Sequence, residues 1–191
     1  TNSERGTACV LTSAGSILNL TSENYIGMSG GVVETVSDTQ SLGSPTVFES
    51  ATSVDVASAF DSSNNKVVVA YRDNGNSDHG TVVVGTVSGT SISFGTPVVF
   101  EAGTTYNIAV TYDSNSQKVV PAYRKDSTGA GTAIVGTVSG TSISFGSSVQ
   151  FESGLTTEIS ATFDSTNNKV VISYSDEDDL SHGKAVVGTV S

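Results

Sequence analysis

Short apolar runs recur along this chain between clusters of Ser, Thr, Asn, Asp and Gly, and each run has the length of a strand. Val67-Val68-Val69-Ala70-Tyr71, Val119-Val120-Pro121-Ala122-Tyr123 and Val170-Val171-Ile172-Ser173-Tyr174 are rich in β-branched and aromatic residues, which pack well on a pleated surface. Their apolar positions are continuous rather than alternating, so both faces of these strands are expected to be covered. Elsewhere the pattern does alternate, as in Ser91-Ile92-Ser93-Phe94, the period-2 signature of a half-buried strand. No window of about twelve residues carries apolar side chains at i, i+3, i+4 and i+7, so no helix is predicted.

The pattern is also periodic over about fifty residues, a length typical of one supersecondary unit stacked on its copies. Gly85-Thr86-Val87-Ser88-Gly89-Thr90-Ser91-Ile92-Ser93-Phe94-Gly95 recurs letter for letter from Gly136 to Gly146, and Gly188-Thr189-Val190-Ser191 begins it again. Three full units follow, at 38–88, 89–139 and 140–191, with residues 1–37 as a degenerate fourth. Each full unit reads as four strands, d, a, b and c in chain order. In the second unit these are about Ser91–Glu101, Tyr106–Tyr112, Lys118–Arg124 and Thr132–Val138. The turns between a and b, such as Asp61-Ser62-Ser63-Asn64-Asn65, open with an Asp that can cap backbone N–H groups and close with residues that tolerate the left-handed conformation. Pro121 has no N–H to give to a ladder and is expected at a bulge or unpaired position. Small residues in strand a, Ala57, Ala59, Ala109 and Ala161 among them, suit the crowded inner end of a radial array.

These features predict an all-β repeat domain spanning 1–191, in the form of a small four-bladed β-propeller of four-stranded antiparallel blades. A larger propeller completed by other chains, an open β array and paired sandwiches are the alternatives.

Composition narrows function mainly by exclusion. The chain carries 8 Lys and Arg against 19 Asp and Glu, a net charge of −11, which argues against phosphate-mediated nucleic-acid binding and against anionic membrane surfaces. No apolar run approaches the roughly 20 residues that cross a bilayer, and no signal peptide is visible at the start. The first residue is Thr rather than Met, which is expected of a processed chain or a fragment. Cys9 is the single cysteine, so no disulfide forms within the chain.

Candidate chemistry is sparse. Asp55, Asn107 and Glu158 hold matching places in strand a, and Tyr25 a similar one near the start. If strand a lines the axis of a ring, these polar groups meet at one mouth and form a ligand site. Acidic clusters at Asp73, Asp78, Asp176 and Asp178 could lend oxygens to calcium, although their spacing is not that of an EF-hand. No other cofactor is expected, and no nucleophile-elbow, zincin or phosphate-loop motif occurs.

The aromatic-Asp-Ser-x-Asn-Asn-Lys-Val-Val stretch, Tyr71-Arg72-Asp73-Asn74-Gly75-Asn76-Ser77 and the Gly-Thr-Val-Ser-Gly-Thr-Ser-Ile-Ser-Phe-Gly run resemble the repeats of marine bacteriophage tail-fibre and virion surface proteins. The resemblance implies a propeller-like array at a virion or extracellular surface. Its implied role is non-enzymatic: adsorption to surface glycans, or structural assembly with other appendage proteins or further copies of the chain. It carries no catalytic motif. The alternative is a glycoside hydrolase using two carboxylates at the ring mouth.

Overall fold

A computed structural model describes residues 42–190, and the chain there is all-β and antiparallel. The strands are β1 (Ser53–Asp61), β2 (Lys66–Asp73), β3 (His79–Ser88), β4 (Ser91–Phe94), β5 (Val98–Asp113), β6 (Lys118–Lys125) and β7 (Gly131–Ala133). They continue as β8 (Gly136–Ser139), β9 (Ser142–Phe145), β10 (Val149–Glu152), β11 (Thr156–Asp164), β12 (Lys169–Asp176) and β13 (His182–Gly188). Among the described residues the one helical element is a single 3-10 turn, Asn74–Asn76.

The expected strands a, b and c are present in each of the three full units, the degenerate unit 1–37 lying outside the described residues, but strand d is assigned differently from the sequence reading. In the second and third units it is broken in two rather than continuous, as β4 with the start of β5 and as β9 with β10, and it completes the sheet of the preceding unit. β4 pairs with the end of β3, and the first residues of β5 pair with its beginning, from His79↔Thr104 to Val82↔Val98. The remainder of β5 then pairs with β6, from Thr105↔Lys125 to Asp113↔Lys118. One continuous strand therefore closes the first sheet and opens the second. β9 and β10 stand in the same relation to β8 and β7 in the second sheet. The third sheet is β11-β12-β13. Pro45–Glu49, expected to form a d strand, is not in a strand.

Because β5 serves two sheets, those sheets lie face to face. Val68, Ala70, Val82 and Val84 of the first pack against Ile108, Val110, Val119 and Tyr123 of the second. The other face of the second sheet, through Val120 and Ala122, meets Val170, Ile172 and Tyr174 of the third. This is the two-sided burial that the continuous apolar runs of strand b demand. Strand a contributes Ala57 and Ala59 to the first junction and Ala161 to the second.

Pro121 pairs with Val110 on the strand-a side and, as expected of a proline, is unpaired on the other, where β6 meets β7 only from Ala122 and β8 only at Val119. The disturbance falls on that neighbour. β3 runs unbroken, whereas its counterpart is split into β7 and β8 on either side of Ile134 and Val135. Ile134 N–H donates to the Pro121 carbonyl at 3.0 Å, and proline can return no N–H.

One recurring trio stands at both junctions and again on the outer face of the first sheet. Phe48, Phe100 and Phe151 meet Tyr71, Tyr123 and Tyr174 with ring centroids 5.0, 5.0 and 5.2 Å apart. The Glu that follows each Phe accepts a hydrogen bond from that tyrosine's hydroxyl, at 3.3, 2.9 and 3.1 Å. Tilted and edge-on aromatic pairs add about 0.5–1.5 kcal/mol beyond area burial. Burial and the neighbouring carboxylates push the Tyr71 and Tyr123 hydroxyls well above the ordinary tyrosine range. The rings need room beneath them: a Cβ at Gly80 would lie 2.5 Å from Phe100, and one at Gly131 2.4 Å from Phe151. Gly183, the matching residue of the third sheet, has nothing within 4 Å.

Two predictions follow from these contacts. Gly80→Ala and Gly131→Ala should each destabilise the protein by about 1–3 kcal/mol through overpacking, while Gly183→Ala stays within about 0.5 kcal/mol. Urea unfolding of the three variants measures the contrast. The second concerns acid. Backbone N–H donors, Ala51 foremost for Glu49 and Gly154 foremost for Glu152, hold both carboxyls below the usual glutamate range. A depressed folded-state value stabilises above the unfolded value and is lost as pH falls through the folded one. Melting temperature should therefore drop between about pH 5 and pH 3, and Glu49→Gln with Glu152→Gln should flatten that part of the profile.

Candidate functional site

Strand a of all three described sheets is interrupted at the same place. Between Val54 and Ala57, Tyr106 and Ala109, and Thr157 and Ser160, strand a advances three residues while strand b advances two. The extra residue makes a β-bulge, which bends the strand and re-aims its side chains. Asp55, Asn107 and Glu158 sit in these bulges, each at φ 51°. Left-handed backbone crowds the Cβ of most residues, and Asn and Asp tolerate it best because a short polar side chain can bond locally. The residue types at 55 and 107 therefore have a conformational cause as well as any role toward a ligand. Glu158 has no such excuse, and it is exposed. No hydrogen bond or ion pair joins the three to one another among the described residues. Tyr25, the fourth expected member, lies outside them.

Around the first two bulges the structure gathers residues that the sequence reading left unassigned. Arg72 Nε stands 3.6 Å from Asp55 Oδ2, too long for a hydrogen bond. Neither atom has another partner, although both are shielded from solvent. Leaving buried polar atoms unsatisfied costs roughly 1–3 kcal/mol each. The Arg72 guanidinium lies over the Tyr106 ring, 4.5 Å from its centroid, and that of Arg124 lies over the same ring, also at 4.5 Å. Both guanidiniums thus meet on one tyrosine ring. The available signal was the Tyr-Arg ending of two b strands against Tyr174-Ser175 in the third, but the ring they meet on belongs to strand a.

The other candidates are occupied by the fold. Asp61, Asp113 and Asp164 each accept two backbone N–H bonds in their turns, as between Asp61 Oδ1 and the amides of Ser63 and Asn64 at 3.0 Å. Asp73 caps the 3-10 turn through Gly75 and Asn76. Asp176 accepts from Asp178 N–H and pairs with Lys184, which also meets Asp179. Those partners raise the Lys184 ammonium well above the ordinary lysine range. Asp178 caps Leu155. Asp78 adopts a left-handed backbone at φ 60°. Among the described residues no three His, Cys, Asp or Glu side chains come together as a metal ion requires.

An apolar cavity of about 410 Å³ opens between the second and third sheets, lined by Val120, Phe151, Val170, Ile172, Val186 and Val190 among others. In the first two sheets the matching space is filled: Ile92 and Phe94 lie against Gly85, and Ile143 and Phe145 against Gly136.

Asn107→Val should destabilise the protein by about 1–2 kcal/mol, because a β-branched side chain cannot sit comfortably in the left-handed region. Asn107→Gly should cost less than half of that, and urea denaturation separates the two.

No protein-family model matches this sequence, and no curated protein matches it.

Proposed function

We propose that this protein is a non-enzymatic surface module, extracellular or carried on a virion, whose stacked sheets are blades of a propeller-like ring. The strand-a edges of the blades would line the ring and receive a glycan or another host-surface group. The observation that carries this reading is the recurrence of one bulge in three successive sheets, with Asp55, Asn107 and Glu158 at the same φ of 51°. A repeated polar position multiplies weak contacts and raises avidity without new chemistry. The resemblance to phage surface repeats points the same way.

A four-bladed ring needs one more sheet to cover the two ends of the stack. At the first end Val56 and Phe60 are 52% and 54% exposed. At the other, Val187 is 62% exposed and Ala185 lies open beside it. Residues 1–37 are the part of this chain expected to supply that sheet. The hydrolase alternative needs two free carboxylates, and of the described bulge residues Asp55 already faces Arg72, which leaves Glu158 alone. That favours binding over catalysis.

Deleting residues 1–37 should expose a few hundred Å² of apolar surface. At about 25 cal/mol per Å² that amounts to several kcal/mol, so the truncated protein should aggregate or oligomerise. A monomer with an unchanged melting temperature would remove the ring from consideration. For ligand binding, a glycan array probed with the full chain should show selective millimolar or tighter binding. A blank array would leave only the structural role.

A further inference from the structure

Only three arginines occur in the chain, and two of them, Arg72 and Arg124, converge on Tyr106. We propose that Arg124, Tyr106 and Arg72 form an anion-binding platform that takes the carboxylate or sulfate of an acidic sugar. The proposal rests on the glycan-binding reading above and specifies the ligand class. Arg124 carries five N–H donors in a planar fork suited to an oxyanion, and among the described residues it donates to no acceptor. Arg124 is half-buried, and none of its hydrogen-bonding atoms is among the fully shielded orphans, which include Arg72 Nε and Asp55 Oδ2. In the first sheet the bulge residue beside the arginine is Asp55, which offsets the charge at 3.6 Å. In the second sheet the bulge residue is Asn107, which cannot. The cluster thus holds two guanidiniums and one carboxylate, with cationic donors in excess.

The repeat does not require this stack. The position of the Tyr106↔Arg124 pair is filled by Val54↔Arg72 in the first sheet and by Thr157↔Ser175 in the third. The junction of the second and third sheets is therefore built without it. The nearby Lys125 is already engaged by Glu101 at 2.8 Å, so Arg124 is the cation left for a ligand. The acid group of a sugar can meet the Arg124 fork that the tyrosine ring holds in place, and the chain's net charge of −11 discourages indiscriminate anion capture.

The test is titration calorimetry on the full chain with a galacturonic acid trisaccharide and its neutral methyl ester, and with a sulfated galactan oligosaccharide and its desulfated form. At least one acidic member should bind about tenfold or more tighter than its neutral match, in line with a charge-assisted bond. Comparing the two pairs shows which oxyanion is taken. Arg124→Gln should abolish the preference with the melting temperature unchanged. Arg124→Lys should keep part of it, Tyr106→Phe most of it, and Tyr106→Leu none. Equal binding of acidic and neutral forms, or a preference that survives Arg124→Gln and Tyr106→Leu, overturns the proposal and leaves glycan binding standing. If neither form of either sugar binds, the platform falls, and a blank glycan array would take the glycan-binding reading with it.

Discussion

Where this chain leaves the first sheet for the second and the second for the third, it carries a Phe-Glu pair across the boundary, and that pair engages the tyrosine of the next sheet's second strand; Phe48-Glu49 makes the same contact with Tyr71 of the first sheet. The phenylalanine lies against the tyrosine ring while the glutamate accepts its hydroxyl. The separation from glutamate to tyrosine is 22 residues in all three instances. A buried tyrosine needs a partner for its hydroxyl, and a glutamate beside a tight chain reversal needs donors. One contact satisfies both and fixes the distance between sheets. The glycines under Phe100 and Phe151 follow from it, because a Cβ there would occupy the ring's place.

The sharing of one strand between two sheets has a second consequence. A sheet covered on both faces has no room for long polar side chains, so polar groups are driven to the strand ends and turns. There the fold uses most of them on itself. The Asp turns cap their own amides, and three lysines, Lys66, Lys118 and Lys169, reach threonine hydroxyls on the neighbouring strand or, at Thr189, just beyond its end. Arg124, over the Tyr106 ring, is a cation without a committed partner among the described residues, and it stands where the three sheets differ. In a chain built from copies, the residues that break the copy without serving the packing are the best indication of function.

The sequence by itself determined the strand content, the period, the turns and the two-sided burial of the b strands, since each depends on neighbours along the chain: β-branched runs, an Asp that caps its own turn, an apolar pattern without alternation. It also singled out Asp55, Asn107 and Glu158 as equivalent, by counting alone. Tertiary structure decided which sheet each d strand completes, because letter order does not reveal that β5 closes one sheet while opening another. It decided the effect of Pro121, which falls on the adjacent strand through a missing donor. It decided, too, that the equivalent polar residues occupy left-handed bulges, a property of pairing register rather than of composition. The meeting of Arg72, Tyr106 and Arg124 joins residues from two sheets over one ring, and only the stacking of those sheets could bring them together.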